Sequence, residues 1–225
     1  MIDMKLKTMQ LNPIKLHPLK LQLTHQHKFT TSLTGVLPDA GNQPDPTPDK
    51  LQHYKENAEE IVEDVVKSNL KKHQSDTLHG SRSLQMLLGK HFTRDVNDWD
   101  IFSTTEKKRA LQLEKQLDKR AGCDIFQTRY QHITKVSAGE DDPYTGEHLY
   151  IVESPSVHND PTVDVMSHPK NLPRTRRKSI YHEALPVAYQ KARTRVYRSP
   201  LQAGKATHDY RAIEAYYKSQ GKKLR

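Results

Sequence analysis

Cysteine is nearly absent: Cys123 is the one thiol in a chain of 225 residues. An internal disulfide is therefore impossible, and a zinc site built on cysteines is excluded. Such cysteine usage suits a reducing compartment, and a cytoplasmic location is expected. Long apolar runs are missing too. No stretch of about 18 apolar residues occurs, so no membrane partner or span is expected. The N-terminal segment alternates Lys with Leu and Met and lacks the continuous apolar centre of a signal peptide. The 13 histidines show no HExxH or comparable metal spacing. No internal repeat is present. Apolar residues make up only 34 % of the chain, and mean hydropathy is -0.88. Part of the chain is thus expected to have no core of its own.

Positive charge is abundant. The net charge is +9 and the pI near 9.4, which favours a polyanionic partner such as a nucleotide or a nucleic acid. Residues 1–48 read as a basic, Pro-interrupted arm and linker, suited to an extended strip laid on an assembly partner. Residues 49–172 read as the core. Residues 173–225 read as a basic loop, "PKNLPRTRRKS", followed by helices. Asp49 is the expected N-cap of a first helix, whose stripe is Leu51, Tyr54, Ala58, Ile61, Val62, Val65, Val66 and Leu70. Ser103 and Glu106 have capping-box spacing for another helix, which Gly122 closes. "CDIFQTRYQHITKV", "HLYIVE" and "PTVDVM" read as strands. "YHEALPVAYQKARTRVYR" and "HDYRAIEAYYKSQ" read as helices. The order predicts an α+β fold: a small mixed sheet flanked by helices, with an N-terminal arm and C-terminal helices.

The segment "HGSRSLQMLLGKHFTRDVNDWDIFS", from His79 to Ser103, carries the chemistry. Residues i and i+2 of a strand share a side, so Asp98 and Asp100 project together, away from Trp99 and Ile101. Two carboxylates this close repel unless a cation sits between them. Mg2+ or Mn2+ suits such a donor set, together with phosphate oxygens. Asp164, alone in the apolar strand "TVDVM", is the preferred third carboxylate, and Asp124 is its rival. Gly80 permits a tight turn, and Ser81 at a helix start can hold phosphate oxygens. Arg82, Lys90 and Arg94 are cations in the same stretch.

These motifs resemble the nucleotidyltransferase superfamily, which includes DNA polymerase beta, CCA-adding enzymes, poly(A) polymerases, antibiotic nucleotidyltransferases and AbiEii-type toxins. The matching residues are Leu78-His79-Gly80-Ser81, then Asp98-Trp99-Asp100-Ile101, then Val163-Asp164-Val165. Gly204–Lys218 resembles a late helix of small members. Sixteen residues separate Ser81 from Asp98, a longer spacer than usual, and His79 stands where the family has an apolar residue. The resemblance implies a metal-dependent enzyme that transfers a nucleoside monophosphate from a nucleoside triphosphate such as ATP to a hydroxyl acceptor, with nucleic acid favoured by charge. It implies Asp98, Asp100 and Asp164 as metal-binding catalytic residues, and Gly80, Ser81, Arg82 and Lys90 as nucleotide contacts. The alternative is a non-catalytic component of a virion or ribonucleoprotein, anchored by its arm.

Overall fold

The structure, a computed structural model, describes residues 34–39, 43–132, 148–157, 160–198 and 202–223. Most of the expected arm, residues 1–33, lies outside them. Eight strands form one mixed sheet: β1 (Thr34–Val36), β2 (Thr77–His79), β3 (Trp99–Ser103), β4 (Gln127–His132), β5 (His148–Glu153), β6 (Val163–Ser167), β7 (Arg174–Arg177) and β8 (Ile180–Glu183). Their spatial order is β1-β4-β5-β6-β3-β2-β8-β7. The pairs β3–β6 and β2–β8 are parallel, and the other pairs are antiparallel. The helices are α1 (Pro48–Lys72), α2 (Gly80–Leu88), α3 (Glu106–Ala121), α4 (Leu185–Arg198) and α5 (Ala203–Ser219). The α+β class expected from the sequence is the one observed.

Alternation along the central strands creates two unlike faces. Leu78, Trp99, Ile101, Val163, Val165 and Ile180 point one way, into a cluster with Tyr54, Ile61, Val62, Val66 and Leu70 of α1 and Leu113 and Leu117 of α3. Burying each large side chain of this cluster stabilises the fold by roughly 1.5–3 kcal/mol. The residues between them, among them Asp100 and Asp164, must therefore face the other side.

Several local expectations change. Thr47, not Asp49, caps α1: its hydroxyl accepts the Lys50 N–H. Pro48 takes the first helical position, where its missing N–H costs nothing, and Asp49 lies in the first turn, favourable to the helix dipole. Ser103 is buried at the end of β3 rather than forming a capping box. Its hydroxyl donates to Asp76 Oδ1 at 2.9 Å and accepts the Thr105 N–H at 3.2 Å. Gly122 does close α3, with φ +74°. Thr34–Val36 of the expected arm forms an edge strand on β4.

The largest difference is at residues 174–183. The expected basic loop is strand β7, and Tyr181-His182-Glu183, read as the start of a helix, belongs to β8. Lys178 and Ser179 join the two strands with φ of +47° and +64°. That pair of positive φ values suits a two-residue hairpin turn between twisted strands.

Candidate active site

One register line across the sheet assembles the site. Asp164 of β6 pairs with Asp100 of β3. Asp100 pairs in turn with His79 of β2. Leu78 pairs with His182 in the parallel β2–β8 ladder, so the next step sets His79 beside Glu183. Glu183 pairs with Arg174 of β7. Side chains opposite one another on neighbouring strands share a face. Asp164, Asp100, His79, Glu183 and Arg174 thus form one row on the face opposite α1 and α3. Asp98, exposed at the entry to β3, adds a third carboxylate and accepts the Thr162 hydroxyl at 3.3 Å. Asp124 precedes β4, three positions from β3 in the sheet. Register therefore sets Asp164, and not Asp124, beside Asp100.

The carboxylates disturb one another as like charges must. Burial first, then the charge of Asp98, raises the pKa of Asp100 to about 6. Burial, then Asp100 and Asp98, raises Asp164 to about 8. Both groups hold protons to unusually high pH because burial and their mutual repulsion outweigh the nearby arginines.

Gly80 closes the site from above. Its φ is +65°, and a Cβ placed there would lie 2.1 Å from Asp100 Oδ2. Only glycine lets the backbone entering α2 pass this close to the carboxylate. The cradle and the all-oxygen donor set fit a hard divalent ion such as Mg2+ or Mn2+. Another acidic group, Asp39, Glu114 and Asp118, has oxygens within 4.8 Å of one another. It lies near the end of α3, where Asp118 Oδ1 accepts the Ile125 and Phe126 N–H groups. It is apart from the strand row.

Beside Gly80 a cavity of about 110 Å³ opens, lined by Ser81, Arg94, Glu183, Lys191, Arg195, Lys205 and Asp209 among others. Arg94 bridges its walls, donating to the Ser81 hydroxyl and to Asp209 Oδ1, the latter at 3.2 Å. Lys191 Nζ lies 2.5 Å from Glu183. Lys191 and Arg195, four residues apart, present the same side of α4. The ring of His79 stacks on Phe102 with centroids 3.6 Å apart. Burial, then the charges of Lys191 and Arg195, pushes its pKa well down, so the ring is neutral.

Two expected nucleotide contacts lie elsewhere. Arg82 is buried and faces away from the cavity: it pairs with Glu59 at 2.6 Å, donates to the Val96 carbonyl at 2.6 Å, and stacks over Trp99. One helical step of about 100° from Ser81 turns it to the far side of α2. It pins the long spacer to α1. Lys90 is exposed on the 3-10 turn after α2 and does not line the cavity. Arg94, further along the spacer, reaches the position expected of them. Lys191, Arg195 and Glu183 were not singled out from the sequence. The one available signal was a helix with four cations and no acid, "LPVAYQKARTRVYR".

No family model matches the sequence, and no curated protein matches it. Among solved structures the fold is similar to the Megavirus polyadenylate synthase, at 11 % identity and a TM-score of 0.51, over 76 % of this chain and 36 % of that one. The protein JHP933 from Helicobacter pylori is also similar, at 15 % identity and a TM-score of 0.36, over 65 % of this chain and 56 % of that one. The chain spans about a third of the length of the first and just over half of the second. The first likeness defines a nucleotidyltransferase-like fold. Among the described residues no helix is long and apolar enough to cross a membrane.

Proposed function

We propose that this chain transfers a nucleoside monophosphate from a nucleoside triphosphate to a hydroxyl acceptor. The observation that carries the reading is the Asp100–Asp164 register pair beside Gly80-Ser81, next to a cavity rich in cations. Asp98, Asp100 and Asp164 are the residues that would hold divalent metal, which when bound supplies charge neutralisation and Lewis-acid polarisation of phosphate oxygens. The chain's own groups do the rest. Ser81 and the first N–H groups of α2 receive the terminal phosphates, as helix N-termini do. Arg94, Lys191 and Arg195 neutralise them from the opposite walls. The acceptor oxygen attacks the α-phosphorus in line. The P–O bond to pyrophosphate breaks with its electron pair, and Asp164 accepts the acceptor's proton. Positioning and electrostatics dominate, as is general in phosphoryl transfer. ATP binding and a nucleic-acid acceptor belong to this same reading, the latter supported by the basic balance of the chain.

The test is incorporation of each α-32P-labelled nucleoside triphosphate into RNA, protein and small acceptors with Mg2+ or Mn2+. Wild type should label one acceptor class, and Asp98→Asn/Asp100→Asn none. Absence of labelling from all four nucleotides would overturn the proposal.

A further inference from the structure

A second set of carboxylates lies toward the C-terminal end of α3, where the transfer reaction has no use for it. Asp39, Glu114 and Asp118 each offer an oxygen within 4.8 Å of the others. Acidic groups gather on many protein surfaces, but two of these are inside. Glu114 is 1 % exposed and Asp118 is 0 % exposed. They are one turn apart on the same side of α3, the spacing at which like charges repel. Burial makes such a pair costly unless something positive meets it.

The two oxygens of Asp118 differ. Oδ1 accepts the Ile125 and Phe126 N–H groups at 2.9 and 2.8 Å, which shapes the chain as it leaves α3. Oδ2 is buried as well and, among the described residues, has no hydrogen-bond partner. The turn therefore explains one oxygen and leaves the other unexplained, on the very carboxylate that meets Glu114 and Asp39. The field around it is acidic. Burial raises the Asp118 pKa to about 6 against the two N–H groups, and the charges acting on it are those of Asp124 and Glu114. Asp124 is itself raised by burial, then by Asp39 and Asp45. Lys50, the cation on this side, directs its ammonium to the Gly122 carbonyl at 2.5 Å.

Asp39 reaches the group from a different part of the chain. Its segment is fastened on both sides: the Leu37 N–H donates to the Thr128 carbonyl at 2.9 Å, and the Pro44 carbonyl accepts the Asp124 N–H at 2.9 Å. Asp39 is exposed, so the group has one oxygen donor facing water and two beneath it.

We propose that Asp39, Glu114 and Asp118 bind a hard divalent cation, Ca2+ in preference to Mg2+, which ties the segment leading into α1 to the end of α3. Carboxylate oxygens are the donors such ions take. A span of 4.8 Å is that of two oxygens on opposite sides of a calcium ion, each at about 2.4 Å. Mg2+ needs about 2.0–2.1 Å in a near-ideal octahedron and keeps several waters, for which two buried carboxylates leave little space. The site is apart from the strand row and does not rest on the transferase reading.

Isothermal titration calorimetry with CaCl2 and with MgCl2 tests the site in a full chain whose strand row is neutralised, Asp98→Asn/Asp100→Asn/Asp164→Asn. That protein should still bind a single Ca2+, and Mg2+ about tenfold more weakly or worse. Adding Asp118→Asn should weaken Ca2+ about 100-fold while the amide oxygen still accepts the Ile125 and Phe126 N–H groups. Adding Asp39→Asn instead, at an exposed position, should weaken Ca2+ about tenfold without touching the core. Ca2+ should raise the Tm of the row-neutralised protein and leave that of its Asp39→Asn/Asp118→Asn derivative where it was. Absence of Ca2+ and Mg2+ binding by the row-neutralised protein would overturn the site, as would binding that neither Asp39→Asn nor Asp118→Asn weakens. Equal affinity for Mg2+ would overturn the preference for Ca2+.

Discussion

Gly80 and Asp100 approach so closely that the smallest side chain has no room between them. A Cβ at Gly80 would lie 2.1 Å from Asp100 Oδ2, and the residue's φ of +65° already disfavours any L side chain. The start of α2 and the centre of the carboxylate row are therefore one unit.

Gly80→Ala tests that unit. The positive φ alone costs about 1–2 kcal/mol, and displacing the carboxylate adds to it. A loss on the order of 3 kcal/mol is expected, which for a chain of this size lowers Tm by roughly 6–12 °C. Nucleotide transfer should disappear even at temperatures where calorimetry shows the variant folded. Retained transfer would show that the contact is incidental.

The acidic row opposes folding when metal is withheld. Asp100 and Asp164 have folded-state pKa values above the ordinary carboxylate value. The folded protein therefore binds more protons than the unfolded chain, and stability falls as pH rises through about 6 and about 8. Asp164→Asn should stabilise the metal-free protein at pH 8 by on the order of 2 kcal/mol while abolishing transfer. Mg2+ should raise the Tm of wild type and raise that of Asp164→Asn by less. A variant less stable than wild type without metal would contradict the electrostatic account.

His182 acts with the opposite sign. It is fully buried, contacts Ser83 Oγ at 3.0 Å, and burial followed by the charge of Arg177 lowers its pKa to about 4. The unfolded chain takes up this proton near pH 6.5 and the folded protein only near pH 4. Stability from this residue is present above pH 6.5 and is lost as pH falls toward 4. Chemical denaturation across that window should show a component on the order of 3 kcal/mol that is missing in His182→Gln.

Arg94 and Arg82 should separate binding from folding. Arg94→Ala removes a part-exposed bridge between Ser81 and Asp209, and with it the cation that would meet the phosphates, a contact worth about 1.5–3 kcal/mol to nucleotide binding. KM for the nucleotide should rise about 10- to 100-fold, with a smaller fall in Tm than Arg82→Ala gives. Arg82→Ala should lower Tm through the lost Glu59, Val96 and Trp99 contacts, and KM of the folded fraction should stay within about threefold. The reverse pattern would return Arg82 to the nucleotide.

What could be read in the sequence followed from short-range rules. Asp98-Trp99-Asp100-Ile101 declares its two faces by period-two alternation, and the stripe from Tyr54 to Leu70 declares α1 by its spacing. Gly122 closed α3 as a helix-stopping glycine does. The register that sets Asp164 beside Asp100 was foreseen only as a preference over Asp124, because strand order is a long-range property. Strand β7 was missed because Arg-Thr-Arg-Arg carries no apolar alternation: an edge strand with both faces in water has nothing to bury. Asp49 has the residue type of a cap, but Pro48 takes the first helical position and so makes Thr47 the cap. The cavity-facing side of α4 depends on how that helix docks, which no spacing within it reveals.

The parallel β3–β6 pairing also has a meaning in time. Asp98 and Asp100 leave the ribosome well before Asp164, and no local hairpin can bring the strands together. The row is complete only once the chain has crossed over and β6 has zipped alongside β3, among the slower kinds of contact to form. A chain released early, or one caught partway through folding, carries two of the carboxylates without the third. Completion of the row is thus a late event in the folding of each molecule, and, on the proposed function, the onset of transfer during refolding would time the closure of the central sheet.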